Sequence, residues 1–168
     1  MNQAHLHLLF NHLPILGTLF GLLILTGGFI VKNYAVKRTA LGIFVLSAVC
    51  AIPAFLSGGG AEEMVESLPG VTEIAVEAHA DLADIFLWVV GALGVLSLVT
   101  FFTDLKAPKM SPILYGITFA VAVGTMILAQ QVGSTGGKIR HTEIRSGVAA
   151  AGMENQGSAN GGESEDDD

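Results

Sequence analysis

The sequence predicts an all-α membrane protein: an up-down bundle of four transmembrane helices, followed by a disordered acidic C-terminal tail. Composition is the first reason. Of 168 residues, 51% are hydrophobic and 14% charged, with a mean hydropathy of +0.61, whereas a soluble domain carries about 25% charged residues. The second reason is where the charges are missing. No Asp, Glu, Lys or Arg occurs in residues 13–31, 40–57, 85–103 or 110–137. A bilayer core takes about 20 mainly apolar residues in a helix, and backbone groups in lipid must be bonded within the segment. Thirdly, four such runs in so short a chain leave almost nothing else to bury them.

The elements follow in order. The first span, 13–31, has Pro14 in its opening turn, where a missing N–H is not needed. Gly17 and Gly21 have the GxxxG spacing that lets another helix approach closely. No Lys or Arg precedes this span, so a cleavable signal peptide, which wants a positive leading region, is not expected. The second span, 39–57, contains Pro53 and the lone Cys50, which has no partner for an intramolecular disulfide. It is expected to stop at Gly58, Gly59 and Gly60, because three consecutive glycines cost too much backbone entropy inside a helix. Residues 61–67 suit a short amphipathic helix ended by Pro69 and Gly70.

A further helix begins near Thr72 and runs into the third span, 83–103. At 100° per residue, Glu73, Glu77, Asp81 and Asp84 form one stripe, while Ala75, His79, Leu82 and Phe86 lie opposite. The acidic side should meet water and His79 should turn inward. The fourth span, 110–131, has Pro112 in its first turn and is followed by the glycine-rich stretch 133–137. Residues 146–168 are Gly, Ala, Ser, Asn and acids; they cannot bury a core and are expected to be disordered. The membrane domain therefore covers 1–145 and the tail 146–168.

Lys32, Lys37 and Arg38 lie between the first two spans, and Lys106 and Lys109 with Asp104 between the last two. The middle connection has Glu62, Glu63, Glu66, Glu73 and Glu77 and no base. By the positive-inside rule the two basic connections are cytoplasmic, and both termini face outward. Tyr34 and Tyr115 fall near the proposed cytoplasmic interface, where aromatic anchors sit. Lys138, Arg140 and Arg145 argue the other way.

This threading gathers all five histidines on the non-cytoplasmic side. His5, His7 and His12 precede or open the first span, His79 sits at the outer end of the third, and His141 follows the fourth. In an up-down bundle the first and third helices are diagonal. Histidines at matching depth on them point across the axis from opposite sides, the geometry for two axial ligands of a low-spin haem b. His12 and His79 are the best pair of metal ligands, and His7 or His141 can replace one of them. Arg140, with Lys138 and Arg145, suits either haem propionates or the acidic stripe; the stripe is the commoner kind of partner and such pairs contribute little. Zinc or copper would want three or four converging ligands, which leaves an outer-face metal site of His5, His7 and the acidic connection as a third reading.

No catalytic motif accompanies the histidines, so no independent enzymatic activity is expected. The net charge of -7 argues against nucleic acid as a partner. The expected surroundings are the lipid bilayer and a redox partner or other membrane subunits. An accessory subunit of a larger complex is the competing class, motivated by Gly17, Gly21, Gly91, Gly94, Gly116 and Gly124 on the spans.

His7, His12, Leu13, Pro14 and Ile15 match an H-x4-H-[FL]-P-I pattern, by which the chain resembles a bacterial membrane family, domain of unknown function 2231. The stretch from Ser57 to Gly60, His79, and Gly136, Gly137, Lys138, Ile139 and Arg140 are similar to its further features, in that order. The resemblance covers about residues 5 to 145. Leu8 stands where the family commonly has proline after its first histidine. The acid usual just after the helix-two glycine is displaced here, with Glu62 the nearest. The resemblance implies four helices in the bacterial inner membrane and, by analogy with four-helix b-type cytochromes, a haem.

Overall fold

The computed structural model describes residues 2–67 and 71–140. The acidic tail, His141 and Arg145 lie outside the described residues. Among the described residues six helices form: α1 (Gln3–Phe10), α2 (His12–Ile30), α3 (Tyr34–Leu56), α4 (Gly58–Glu66), α5 (Glu73–Lys106) and α6 (Ser111–Arg140). Four helical stretches, among them α3 and α5, are long and apolar enough to cross a membrane; α1 and α2 together make the first of the four.

The long helices pack in a ring, α2 on α3, α3 on α5, α5 on α6 and α6 back on α2. The sequence explains the ring through one repeat. α2 buries Pro14, Thr18, Gly21, Leu25 and Gly28, and α3 buries Ala40, Phe44, Ser47, Ala51 and Ala54. α5 buries Phe86, Val90, Leu93, Ser97, Thr100 and Asp104. α6 buries Ser111, Tyr115, Thr118, Ala122, Thr125, Ala129 and Val132. Each series advances by alternating steps of four and three residues, the spacing that keeps a seam on one side of near-parallel helices. Leu46, Trp88, Val95 and Ile113 are more than half exposed, so the apolar side chains that would form a soluble core are turned outward.

Small residues and hydroxyls dominate the seams, as in membrane helix pairs that approach closely. The buried hydroxyls bond back to their own helices, Thr18 to the Pro14 carbonyl at 2.7 Å and Ser97 to that of Leu93 at 2.7 Å. Thr100 and Thr118 bond across α5 and α6 at 2.9 Å. On α2, Gly17 lies under the Ser47 hydroxyl, and a Cβ on Gly21 would stand 2.5 Å from Phe44 Cε1. Gly21→Leu is therefore expected to destabilise the fold by about 1–3 kcal/mol. Gly116→Leu should be near neutral, because no atom lies within 4 Å of a Cβ there. Thermal unfolding in detergent compares the two; equal midpoints would contradict the close approach.

Several helix ends differ from the sequence expectations. The chain is helical from Gln3, not from residue 13: Asn2 caps α1 by accepting from the His5 N–H at 2.9 Å. The interruption falls at Asn11, because Pro14 supplies no N–H to the Phe10 carbonyl and its ring crowds it. α3 starts at Tyr34, where the Asn33 side chain accepts from Ala35 and Val36 N–H, so Lys37 and Arg38 lie within a helix. α3 ends at Leu56, just before the glycines as expected, but Gly58, Gly59 and Gly60 are themselves helical and open α4. α1 lies across that turn, and a side chain on Gly60 would collide with Gln3. α6 runs through residues 133–137 to Arg140, continuing its seam through Val132 and Ile139.

Candidate histidine site

Among the described residues, the two histidines that the structure brings together are His7 and His79. His7 sits on α1, half-buried, with its ring Nδ1 2.8 Å from the carbonyl oxygen of Ala54. Ala54 belongs to the last turn of α3, whose carbonyls have no continuing helix to bond. A carbonyl only accepts, so the His7 proton is on Nδ1 and, in the neutral ring, the lone pair is on Nε2.

His79 is half-buried on the first turns of α5, with Nδ1 3.0 Å from Thr135 Oγ1 on α6. The Thr135 hydroxyl has one proton, directed at the Gln131 and Val132 carbonyls at 3.1 and 3.0 Å. We therefore assign the His79 Nδ1–H as the donor to Thr135, which leaves Nε2 unprotonated here too. Gly136 makes room for the ring: a Cβ there would stand 3.0 Å from His79 Cε1. Glu73, Glu77, Asp81 and Asp84 are all exposed on the other face of α5, so helical phase alone orients His79 correctly.

Both rings line one cavity of about 60 Å³, walled by Ile15, Ala51, Phe86 and Val132 from the four long helices. Asn11 also lines it, and Asn11 Oδ1 is buried with no hydrogen-bond partner. Among the described residues the cavity thus presents neutral acceptors and no lining carboxylate. Histidines held through one ring nitrogen by a carbonyl or hydroxyl, with the other nitrogen free to donate its lone pair, have the form of metal ligands.

His12 and His5 are exposed and line no part of the cavity. His7, not His12, stands beside His79, because five residues turn a near-continuous helix by about 140°. Arg140 ends α6; nothing is described of its side chain. The donor set suits axial ligation of a haem iron, but the space does not. A pocket for a molecule of drug size measures about 300–1,000 Å³, several times this cavity, so a macrocycle does not fit between these rings as they stand.

The opposite end of the ring holds a polar cluster that the sequence reading missed. Arg38 Nε on α3 donates to Asp104 Oδ2 on α5 at 2.7 Å, and the Tyr115 hydroxyl on α6 donates to the same oxygen at 3.3 Å. The Asp104 side chain is 1% exposed and that of Arg38 37%. Lys37 Nζ lies 4.7 Å from the Phe29 ring centroid, 4.8 Å from Tyr34 and 5.3 Å from Tyr115, a cation–π contact worth most when desolvated. These groups satisfy one another and tie the four long helices together. The histidine end, with the orphaned Asn11 Oδ1, is the better candidate for ligand binding.

No family model, no curated protein and no solved structure matches the chain.

Proposed function

We propose that this chain is a multi-pass integral membrane protein that holds a metal centre between His7 and His79. One observation carries the reading: two imidazoles, each anchored through Nδ1 to a different helix, line one cavity, and the tautomers assigned above leave Nε2 of each as the lone-pair donor. Four apolar helical stretches support the membrane assignment, and so does the outward-facing belt of large apolar side chains. The threading follows from the charges. Lys37, Arg38 and Asp104 share the cytoplasmic end, the histidine pair lies at the other, and the protein resides in a bacterial plasma membrane with both termini outside. A metal centre near that face suits electron transfer to a partner at the surface.

A second reading has its own observation. Gly42, Gly91, Gly116 and Gly124 meet no atom within 4 Å of a Cβ, so packing within the chain does not need them small. They favour an accessory subunit whose outer faces seat other membrane helices. One experiment separates the two. The full chain, purified from its membrane, is analysed for metals and for haem absorbance, alongside His7→Ala and His79→Ala. About one metal atom per chain, lost in both variants, is the expected result. A metal-free chain that leaves the membrane with other subunits would replace the first reading by the second.

A further inference from the structure

We propose that the cavity between His7 and His79 is a copper(I) site. The inference rests on the metal-centre reading above and names its metal. Coordination number is the first argument. The described residues contain no group of three or more His, Cys, Asp or Glu able to hold an ion. Zinc takes four ligands in structural sites and keeps three from the protein in catalytic ones. The three or four ligands expected of zinc and of copper(II) follow from their double charge; copper(I), singly charged and softer, is content with two, and imidazole nitrogen suits copper well. Among the described residues, the two imidazoles that line the cavity can supply both donors of a two-coordinate ion.

Charge is the second argument. Among the described residues no carboxylate or thiolate lines the cavity, whose other walls include Pro14, Ile15, Ala51 and Phe86. The cost of transferring an ion from water to such surroundings grows with the square of its charge, so a monovalent ion incurs about a quarter of the penalty of a divalent one. Neutral ligands leave the ion's whole charge uncompensated, and this penalises copper(II) and zinc far more than copper(I). Alkali cations of the same charge prefer oxygen ligands, of which the site has one, Asn11 Oδ1.

Space is the third. About 60 Å³ admits a bare ion with a water or two. Neither a macrocycle nor a divalent ion with its hydration shell fits. A retained water also gives the orphaned Asn11 Oδ1 the donor it lacks.

The test uses the full chain in detergent, under anaerobic reducing conditions, with copper(I) supplied from its complex with the chromophoric chelator bathocuproine disulfonate. One copper(I) per chain should be withdrawn from the chelator. His7→Ala and His79→Ala should weaken binding by about 100-fold or more, and His12→Ala should leave it unchanged. Thr135→Val keeps the side-chain volume and removes only the acceptor of His79 Nδ1–H; it should weaken binding about 10- to 100-fold, with helix content unchanged by circular dichroism. Copper(I) binding that survives His79→Ala, or no withdrawal of copper from the chelator, would overturn the proposal. So would zinc(II) that occupies the same histidines at equal concentration. If zinc or haem iron depends on both histidines, the copper assignment fails and the metal-centre reading stands. If no metal depends on them, both fail.

Discussion

Gly136→Ala is expected to weaken metal binding at the histidine pair by about tenfold while leaving the fold as stable as before or slightly more so. Gly136→Val should abolish binding. The two effects have opposite signs because they act through different contacts. In a helix interior, alanine is favoured over glycine by about 1 kcal/mol, and Gly136 lies within α6. The added Cβ would stand 3.0 Å from His79 Cε1, 3.4 Å from Nδ1 and 3.5 Å from Nε2. The ring must shift by a few tenths of an ångström for alanine and swing away for valine, breaking its 3.0 Å bond to Thr135. Metal content and the thermal midpoint, read on one preparation, give both signs. A substitution that merely unfolded the chain would lower both. Undiminished binding in Gly136→Val would mean that the observed ring position is not the ligating one.

At the other end of the ring, Arg38→Ala is expected to destabilise the fold more than Asp104→Asn does. The pair is one ion pair, yet its members are not equivalent. Asp104 is enclosed while Arg38 is in part reached by solvent. Removing the guanidinium leaves a carboxylate buried without its countercharge, the costly half of a broken pair. Replacing the carboxylate by an amide keeps an acceptor for the Tyr115 hydroxyl and lets Arg38 turn toward water. Asp104→Asn should cost about 1–3 kcal/mol, nearer the lower figure because solvent screens the Arg38 side. Unfolding in detergent with Arg38→Ala, Asp104→Asn and the double variant tests the order. The double variant should be more stable than Arg38→Ala alone, since it removes the orphaned charge. Equal costs for the two single variants would mean that the carboxylate is more hydrated than its burial implies.

The four apolar stretches are legible in the sequence because a charge-free run of span length has few other uses. The inward phase of His79 is legible for a similar reason: four acids on one side of a helix specify the opposite face. Helix ends are harder. Glycines at residues 58–60 and 133–137 read as breaks from their intrinsic cost, but in the fold they are the places where Gln3 and His79 lie against a helix backbone. The choice between His7 and His12 depended on where the first helix begins. The apolar run starts at residue 13, which favoured His12; the Asn2 cap extends the helix to Gln3 and puts His7 on the inner face. The acceptor for His7 is a backbone carbonyl freed where α3 ends, and no side-chain pattern announces it. Arg38 and Asp104 are 66 positions apart. Each was visible as a loop charge useful for threading, and neither as half of a pair.

The Ala54 and Thr135 contacts also fix an order of events during synthesis. His7 leaves the ribosome before its acceptor, which follows 47 positions later. His79 must wait a further 56 for Thr135. The cavity therefore does not exist while the first helices are being inserted, and it closes only when α6 has docked against α5. Loading of the centre is then a late step of biogenesis, and a chain interrupted before Thr135 reaches the membrane as apolar helices with an unanchored His79.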